Sequence, residues 1–286
     1  MRLFVFGFGY SARALARLLT PQGWSVAATL RDPAGAAGLA AEGVTAAPLG
    51  ERDALAAELA NAQALLVTAA PDADGCPGLR ALVPALARGR AFPDWIGYLS
   101  TTGVYGDRRG GWVTETSRLS AQSQEGARRV AAERDWLEVG RGMGLTVQTF
   151  RLPGIYGPGR SALDRLRAGQ ARRIAASGQV FSRVHVDDLA SGLAASIARP
   201  RPGGIYNLCD DEPAPNSQVI AYAAGLLGMA PPPEVALAEA NLSPMALRFY
   251  AESKRVSNAR AKAELGWRPA YPTYREGLRA ILAGEA

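Results

Sequence analysis

Lysine is almost missing from this chain. Lys254 and Lys262 are the only two, although lysine and arginine together number 32 against 26 aspartates and glutamates. The formal charge of +6 is therefore an arginine charge. No dense basic run interleaves with aromatics, so nucleic acid is not an expected partner. The excess reads as a solvated arginine-rich surface, or as a contact for an anionic ligand such as a phosphorylated cofactor. Cysteine occurs twice, at Cys76 and Cys209, with no metal-ligand spacing between them. They read as buried or incidental thiols in a reducing compartment, and no metal is expected. No apolar run approaches the ~20 residues of a membrane span. The opening MRLFVFGFGY breaks at Gly7, short of a signal-peptide core, and no cleavage site follows. A cytoplasmic protein without membrane contact is the expectation.

What is present is ordinary globular material. The 286 residues are 48% hydrophobic and 20% charged. That suits one large domain, or a domain with a smaller lobe. Apolar runs at 3–6, 25–30, 44–48, 64–68, 95–100 and 145–150 read as strands. Between them, Ala12, Leu15, Ala16 and Leu19 recur at helical spacing. Helices are also expected over 53–60, 78–88 and 120–139. The alternation predicts an α/β fold: a Rossmann-type, doubly wound parallel sheet with helices on both faces and right-handed crossovers. After Arg151 prolines and glycines cluster, in LPGIYGPGR and RPRPGG. A helix at 187–198 and a strand at 205–208 are expected to return to the sheet. The predicted division is a dinucleotide-binding domain over 1–155, rejoined by 185–208, and an interleaved substrate lobe over 156–184 and 209–286. The ligand site would be the cleft between them.

Gly7-Phe8-Gly9-Tyr10-Ser11-Ala12 matches G-x-G-x-x-[G/A] after a strand and at the opening of a helix, the context that gives the pattern meaning. Gly7 permits the tight turn, Gly9 lets the backbone approach a pyrophosphate, and Ala12 allows close helix–strand packing. The helix start, at Tyr10 and Ser11, supplies unpaired N–H donors to an anion. A carboxylate ending the second strand would bond a ribose 2′-hydroxyl and mark NAD. The stretch reads Thr29-Leu30-Arg31-Asp32, with Leu30 in the acidic slot and Arg31 beside it. Arg31 suits a 2′-phosphate, so NADP is expected over NAD; Asp32 on the ribose is the alternative.

With the glycine turn, several stretches in order resemble the extended short-chain dehydrogenase/reductase superfamily, the NAD-dependent epimerase/dehydratase family. They are Leu99-Ser-Thr-Thr-Gly-Val-Tyr-Gly-Asp107, Arg151-Leu-Pro-Gly-Ile-Tyr-Gly-Pro158, His185-Val-Asp-Asp188, Tyr206-Asn207, Ser253-Lys-Arg-Val-Ser-Asn258 and Glu264-Leu-Gly-Trp267. The likeness spans nearly the whole chain and is closest to an atypical bacterial branch. It implies that Ala69 and Ala70 line the cofactor's ribose and pyrophosphate. It implies that Thr101, with Thr102 its neighbour, binds the reacting oxygen of a substrate. Pro153 and Tyr156 would pass the nicotinamide. His185 reads as a structural hydrogen-bonding residue.

One part of the resemblance fails. The family's catalytic Tyr-x-x-x-Lys belongs on the long helix after the Ser/Thr strand. Aligned on Ala132-Glu133, those slots hold Glu125 and Arg129. Arginine cannot relay a proton, and a carboxyl would need a pKa well above about 4.3 to donate one. The pair is either a functional replacement or a surface Glu–Arg pair worth a few tenths of a kcal/mol. Tyr105 and a water network are other proton donors the residues allow. A Tyr-x-x-x-Lys does occur at Tyr250–Lys254, but in the expected substrate lobe. There either Tyr250 packs and Lys254 faces solvent, or Lys254 and Arg255 are contacts to an anionic substrate.

Two functional classes remain. One is an NAD(P)-dependent oxidoreductase or epimerase acting on a small hydroxyl or carbonyl compound, sugar-like or phosphorylated. The other is a non-catalytic NADP(H)-binding regulator. The oligomeric state stays open; the resemblance implies that dimers form through helices flanking the sheet, and the helix at 120–139 is the candidate.

Overall fold

The computed structural model describes residues 1–89, 92–242, 247 and 249–284. Thirteen strands are found among them: β1 Arg2–Phe6, β2 Ser25–Leu30, β3 Val44–Pro48, β4 Ala64–Val67, β5 Trp95–Thr101, β6 Trp112–Val113, β7 Val147–Leu152, β8 Gly154–Tyr156, β9 Arg173–Ala175, β10 Arg183–His185, β11 Ile205–Asn207, β12 Glu234–Ala236 and β13 Arg255–Val256. Seven form one sheet in the order β11-β7-β5-β4-β1-β2-β3, every pairing parallel. The chain starts in the middle, winds out to β3, returns past β1 to β4 and winds the other way. The order reverses between β1 and β4, which is where open α/β sheets bind ligands.

β4 is buried at all four positions, and Leu3, Phe4 and Val5 of β1 are fully buried. Such strands carry apolar residues on both faces because helices cover both. The helices are α1 Tyr10–Leu19, α2 Ala36–Ala41, α3 Arg52–Asn61, α4 Pro77–Arg88, α5 Gln124–Met143, α6 Ala162–Arg167, α7 Val186–Ala198 and α8 Asn216–Leu226, followed by Ala259–Leu265 and Tyr274–Gly284. One core layer joins Leu15 and Leu19 of α1 to Leu189 and Leu193 of α7. The opposite layer joins Leu55 and Leu59 of α3, Leu82 and Leu86 of α4 and Trp136 of α5. A separate core of Leu163, Leu166, Val219, Ile220, Leu278 and Ile281 lies under α6, α8 and Tyr274–Gly284.

α5 departs most from its expected bounds. Ser123 Oγ accepts the Gly126 N–H at 3.0 Å and sets the start. Gly144 stops the helix in the left-handed conformation, φ 67°. Gly140 does not break it, because the missing Cβ lets α5 sit against Val147 and Leu145. β7 correspondingly begins at Val147 rather than 145.

Candidate cofactor and substrate site

The turn after β1 is built by contacts across the switch point. Gly7 has φ +92°, and a Cβ there would stand 2.8 Å from Thr68 Oγ1. Its N–H donates to Thr29 Oγ1 at 2.9 Å and its carbonyl accepts from Thr68 Oγ1 at 2.5 Å. Gly7 is thus held by β2 on one side and the end of β4 on the other. Gly9 is different: a Cβ there would meet nothing within 4 Å. Gly9 begins α1 with no side-chain cap and no acidic residue in the first turn. The first turn of a ten-residue helix therefore carries no side-chain cap, which is the arrangement a pyrophosphate needs. Ala12 is buried between helix and sheet, while Ser11 is half-buried. Ala69 and Ala70 follow β4 beside Gly7, Ala70 being exposed.

β2 ends at Leu30, and Arg31 and Asp32 after it are exposed. The Asp32 carboxylate turns back on its own loop and accepts the Ala34 N–H at 3.0 Å. Arg31 shares that rim.

β5 and β7 run in register to their ends, Ser100 opposite Arg151 and Thr101 opposite Leu152. That places Thr101 and Pro153 side by side at the C-terminal edge of the sheet. Thr101 is half-buried, and its Oγ1 accepts the Gly103 N–H at 3.1 Å, leaving its own O–H to donate. Thr102 is 8% exposed and turns into the protein. The next strand, β8, carries Tyr156, whose ring meets His185 edge-on at 5.2 Å between centroids. His185 is buried, its Nδ1 accepting the Asp187 N–H at 3.3 Å as the cap of α7. Tyr10 ties the two halves together: its hydroxyl donates to the Pro158 carbonyl at 3.0 Å, and Arg160 lies over its ring.

Glu125 and Arg129 both lie on α5, with different surroundings. Glu125 is exposed in the first turn. Arg129 donates to the Leu99 carbonyl and, at 3.3 Å, to the Tyr98 hydroxyl, so its Nη1 is committed to the end of β5. Tyr105 is fully buried; its hydroxyl donates to Asn207 Oδ1 at 2.7 Å, and burial pushes it up to about 12. It cannot reach a ligand, so it is no proton donor here.

What the sequence did not single out is a buried polar network directly beneath Thr101. Glu133 Oε1 accepts from Ser100 Oγ at 2.5 Å. Arg151 donates to Glu133 Oε2 at 2.8 Å, and its Nη1 reaches Tyr105 Oη and the Glu115 carbonyl at 3.0 Å each. Glu115 in turn accepts the Asn207 N–H at 2.8 Å. Glu133 and Arg151 side chains are each 3% exposed. Both residues sit in recognisable stretches, Glu133 in Ala132-Glu133 of α5 and Arg151 at the head of the LPGIYGPG loop, but nothing local marks them as partners.

Tyr250 and Lys254 are not a helical dyad. Regular helix ends at Tyr250, residues 252–254 are irregular, and Arg255 opens β13 against β6. Tyr250 is 8% exposed and packs edge-on against Phe181. Lys254 does not project into solvent but pairs with Glu252 at 2.5 Å. Arg255 donates to the Gly110 carbonyl. A cleft of about 800 Å³ opens on the far side of β8, lined by Tyr156, Arg160, Arg165, Arg172, Arg183 and Tyr250 among others. Neither Lys254 nor Arg255 lines it.

A parallel doubly wound sheet with an open glycine turn at its switch point defines a dinucleotide-binding α/β protein. Comparison with known proteins narrows this. The NAD dependent epimerase/dehydratase family matches residues 81–209. Protein YeeZ of Escherichia coli K12 is 30% identical over 243 residues, covering 80% of this chain and 84% of YeeZ. A Streptomyces 3-diazoavenalumate denitrifying reductase is 36% identical over 135 residues, and the chain spans only 43% of its length. A functionally unknown conserved protein from Silicibacter pomeroyi superposes with a TM-score of 0.90 at 48% identity, over 99% of this chain and 98% of that one. A Bacillus anthracis dTDP-glucose 4,6-dehydratase in complex with NAD shares the fold, TM-score 0.78 at 17% identity, over 99% and 96%. The chain belongs to the NAD dependent epimerase/dehydratase family. Among the described residues no helix is long and apolar enough to cross a membrane.

Proposed function

We propose that this chain is a nicotinamide-dependent oxidoreductase or epimerase of small hydroxyl or carbonyl compounds. The observation that carries the reading is the open turn at Gly9, uncapped and with free space where a Cβ would stand, at the switch point, with only β4 between its strand and the strand that ends at Thr101. Residues 7–12, with Ala69 and Ala70, would hold the cofactor's pyrophosphate and ribose; Pro153 and Tyr156 would flank its reactive ring. When bound, the cofactor supplies hydride chemistry. Thr101 donates its O–H to the oxygen of the reacting carbon. Arg129 and the Ser100–Glu133–Arg151 network hold the end of β5, so that hydroxyl is presented by a rigid strand. The arginine-lined cleft beyond β8 receives the rest of the substrate, and its charge suits a phosphorylated or sugar-like compound. On this reading residues 1–155 with 185–208 form the dinucleotide-binding domain, and 156–184 with 209–286 the substrate lobe.

NADP is favoured over NAD by the rim of β2. One Asp32 oxygen accepts the Ala34 N–H, and Arg31 is exposed beside it, free to meet a 2′-phosphate. The non-catalytic regulator is the second reading. It is favoured by the exposure of Glu125 and by the commitment of Arg129 to the Leu99 carbonyl, which leave no Tyr/Lys equivalent at that place.

Fluorescence titration with NADPH and NADH tests the assignment. NADPH is expected to bind at least tenfold more tightly, and Arg31→Ala to erase the difference. Tighter NADH binding refutes the NADP assignment. Cofactor oxidation screened against carbonyl and sugar compounds then separates the two readings: turnover abolished by Thr101→Val supports the enzyme, and binding without turnover supports the regulator.

A further inference from the structure

Tyr10 opens α1 immediately after Gly9, so its backbone belongs to the glycine turn while its side chain leaves it. The hydroxyl donates to the Pro158 carbonyl at 3.0 Å, 148 residues away. Pro158 sits in a tight turn that follows β8. The Arg160 N–H donates to the Gly157 carbonyl at 3.0 Å and closes that turn, and Gly159 takes φ +71°, which other residues avoid. Gly157 is shaped by the same contact. A Cβ there would stand 2.4 Å from Tyr10 Oη and 2.7 Å from Cγ1 of Val186, the first residue of α7. The Arg160 guanidinium lies over the Tyr10 ring, 5.8 Å from its centroid. Directly after the turn, Ser161 and Asp164 form the capping box that starts α6. Tyr156, Gly159, Arg160, Ser161 and Arg165 all line the cleft.

Pro158, Gly159 and Arg160 are exposed. Segments with few buried contacts open most readily, so the direction of Arg160 depends on what grips the turn. Tyr10 grips it twice, by its hydroxyl at Pro158 and by its ring under Arg160. The ring itself packs against the core layer shared by α1 and α7. Burial, and after it the Asp187 carboxylate, raise the hydroxyl above its ordinary range, so it keeps the proton it donates. A dinucleotide on the first turn of α1 would fix the Tyr10 backbone, and the side chain would carry that order to Pro158 and Arg160. Plain aromatic packing is the competing role. Phenylalanine would serve it equally well, and the hydroxyl would be idle.

We propose that Tyr10 is a positioning residue that couples the cofactor's seat to the cleft: its hydroxyl holds the turn at residues 157–160, so that cofactor binding orders the wall that presents Arg160. The inference goes beyond the enzyme reading and rests on it, since it takes residues 7–12 as the cofactor's seat. Hydrogen exchange of the full chain, followed by mass spectrometry, tests it with NADPH as the probe and Tyr10→Phe as the variant. Without cofactor, Tyr10→Phe should speed exchange at 157–162 roughly fivefold, the worth of one ordinary hydrogen bond. With NADPH, the parent should exchange more slowly both at 7–12 and at 157–162. Tyr10→Phe should keep the first protection and lose the second, with NADPH affinity within twofold of the parent. The proposal is overturned if Tyr10→Phe changes cofactor-free exchange at 157–162 by less than twofold, or if NADPH slows that segment equally in both proteins. It is also overturned if NADPH protects only 7–12 in the parent, or if the variant binds NADPH more than tenfold more weakly, which would make the hydroxyl part of the cofactor site itself. Failure of NADPH to bind the parent would refute the dinucleotide reading and the coupling with it; the cofactor-free arm separates that result from a failure of the Tyr10–Pro158 contact.

Discussion

Arg151→Met is the sharpest test of what holds the site. Arg151 lies on β7 opposite Ser100 and is 3% exposed, as is its partner Glu133. Methionine removes the donors to Glu133, to Tyr105 Oη and to the Glu115 carbonyl. It leaves the Glu133 carboxylate buried with Ser100 Oγ as its remaining side-chain donor. Breaking a buried ion pair from one side costs about 3–5 kcal/mol, because the surviving charge is neither solvated nor paired. Against a total stability of about 5–15 kcal/mol that is a large fraction. The corresponding fall in Tm, at roughly 2–4 °C per kcal/mol for a chain somewhat shorter than this one, is on the order of 10 °C. Urea unfolding followed by circular dichroism is the assay; the midpoint should fall with the slope unchanged. The double change Glu133→Leu with Arg151→Met removes both charges and should recover most of the loss. A single variant that loses under about 1 kcal/mol would refute the argument, as would a double variant as unstable as the sum of its parts.

The two glycines of the turn should separate folding from binding. Gly9→Val meets open space and has φ −103°, so Tm should stay within about 2 °C while NADPH affinity falls at least tenfold. Gly7→Val, at φ +92° against Thr68, should lose both. Equal effects of the two on Tm would contradict the geometry. Asp188 supplies a pH test. Burial raises its carboxyl from 3.8 to about 6, against the pull of the Ala270 and Tyr271 N–H groups. The folded state then binds the proton more tightly than the unfolded chain, so this group's contribution to stability falls as pH rises from about 4 to about 6. Asp188→Asn should flatten that stretch of the stability–pH curve by roughly 1–3 kcal/mol, read from urea midpoints at each pH. An unchanged slope would refute it.

The strands were legible because period and length carry local information. β2 and β3 begin and end where the apolar runs at 25–30 and 44–48 do. β4, buried on both faces, is a continuous apolar run that needs no tertiary knowledge to read. α5 was harder, since Gly140 and Gly142 look like breakers until β7 is seen to press on the helix. The glycine turn was legible for a similar reason: Gly7 and Gly9 are adjacent in sequence to the strand and helix they join. The Tyr250–Lys254 spacing is out of place along the chain for a catalytic dyad, and it has no helical meaning either, since the helix stops at Tyr250.

Sequence alone determined the doubly wound sheet, the place of the dinucleotide turn and the absence of tyrosine and lysine from the long helix. All of these depend on residues near one another along the chain. Tertiary structure alone decided which charges are buried and what they face. Ser100 meets Glu133 across 33 residues, Tyr105 meets Asn207 across 102, and Asp210 meets Arg183 through one backbone hydrogen bond. Burial and pairing of charge are properties of elements packed together, and no local pattern encodes them.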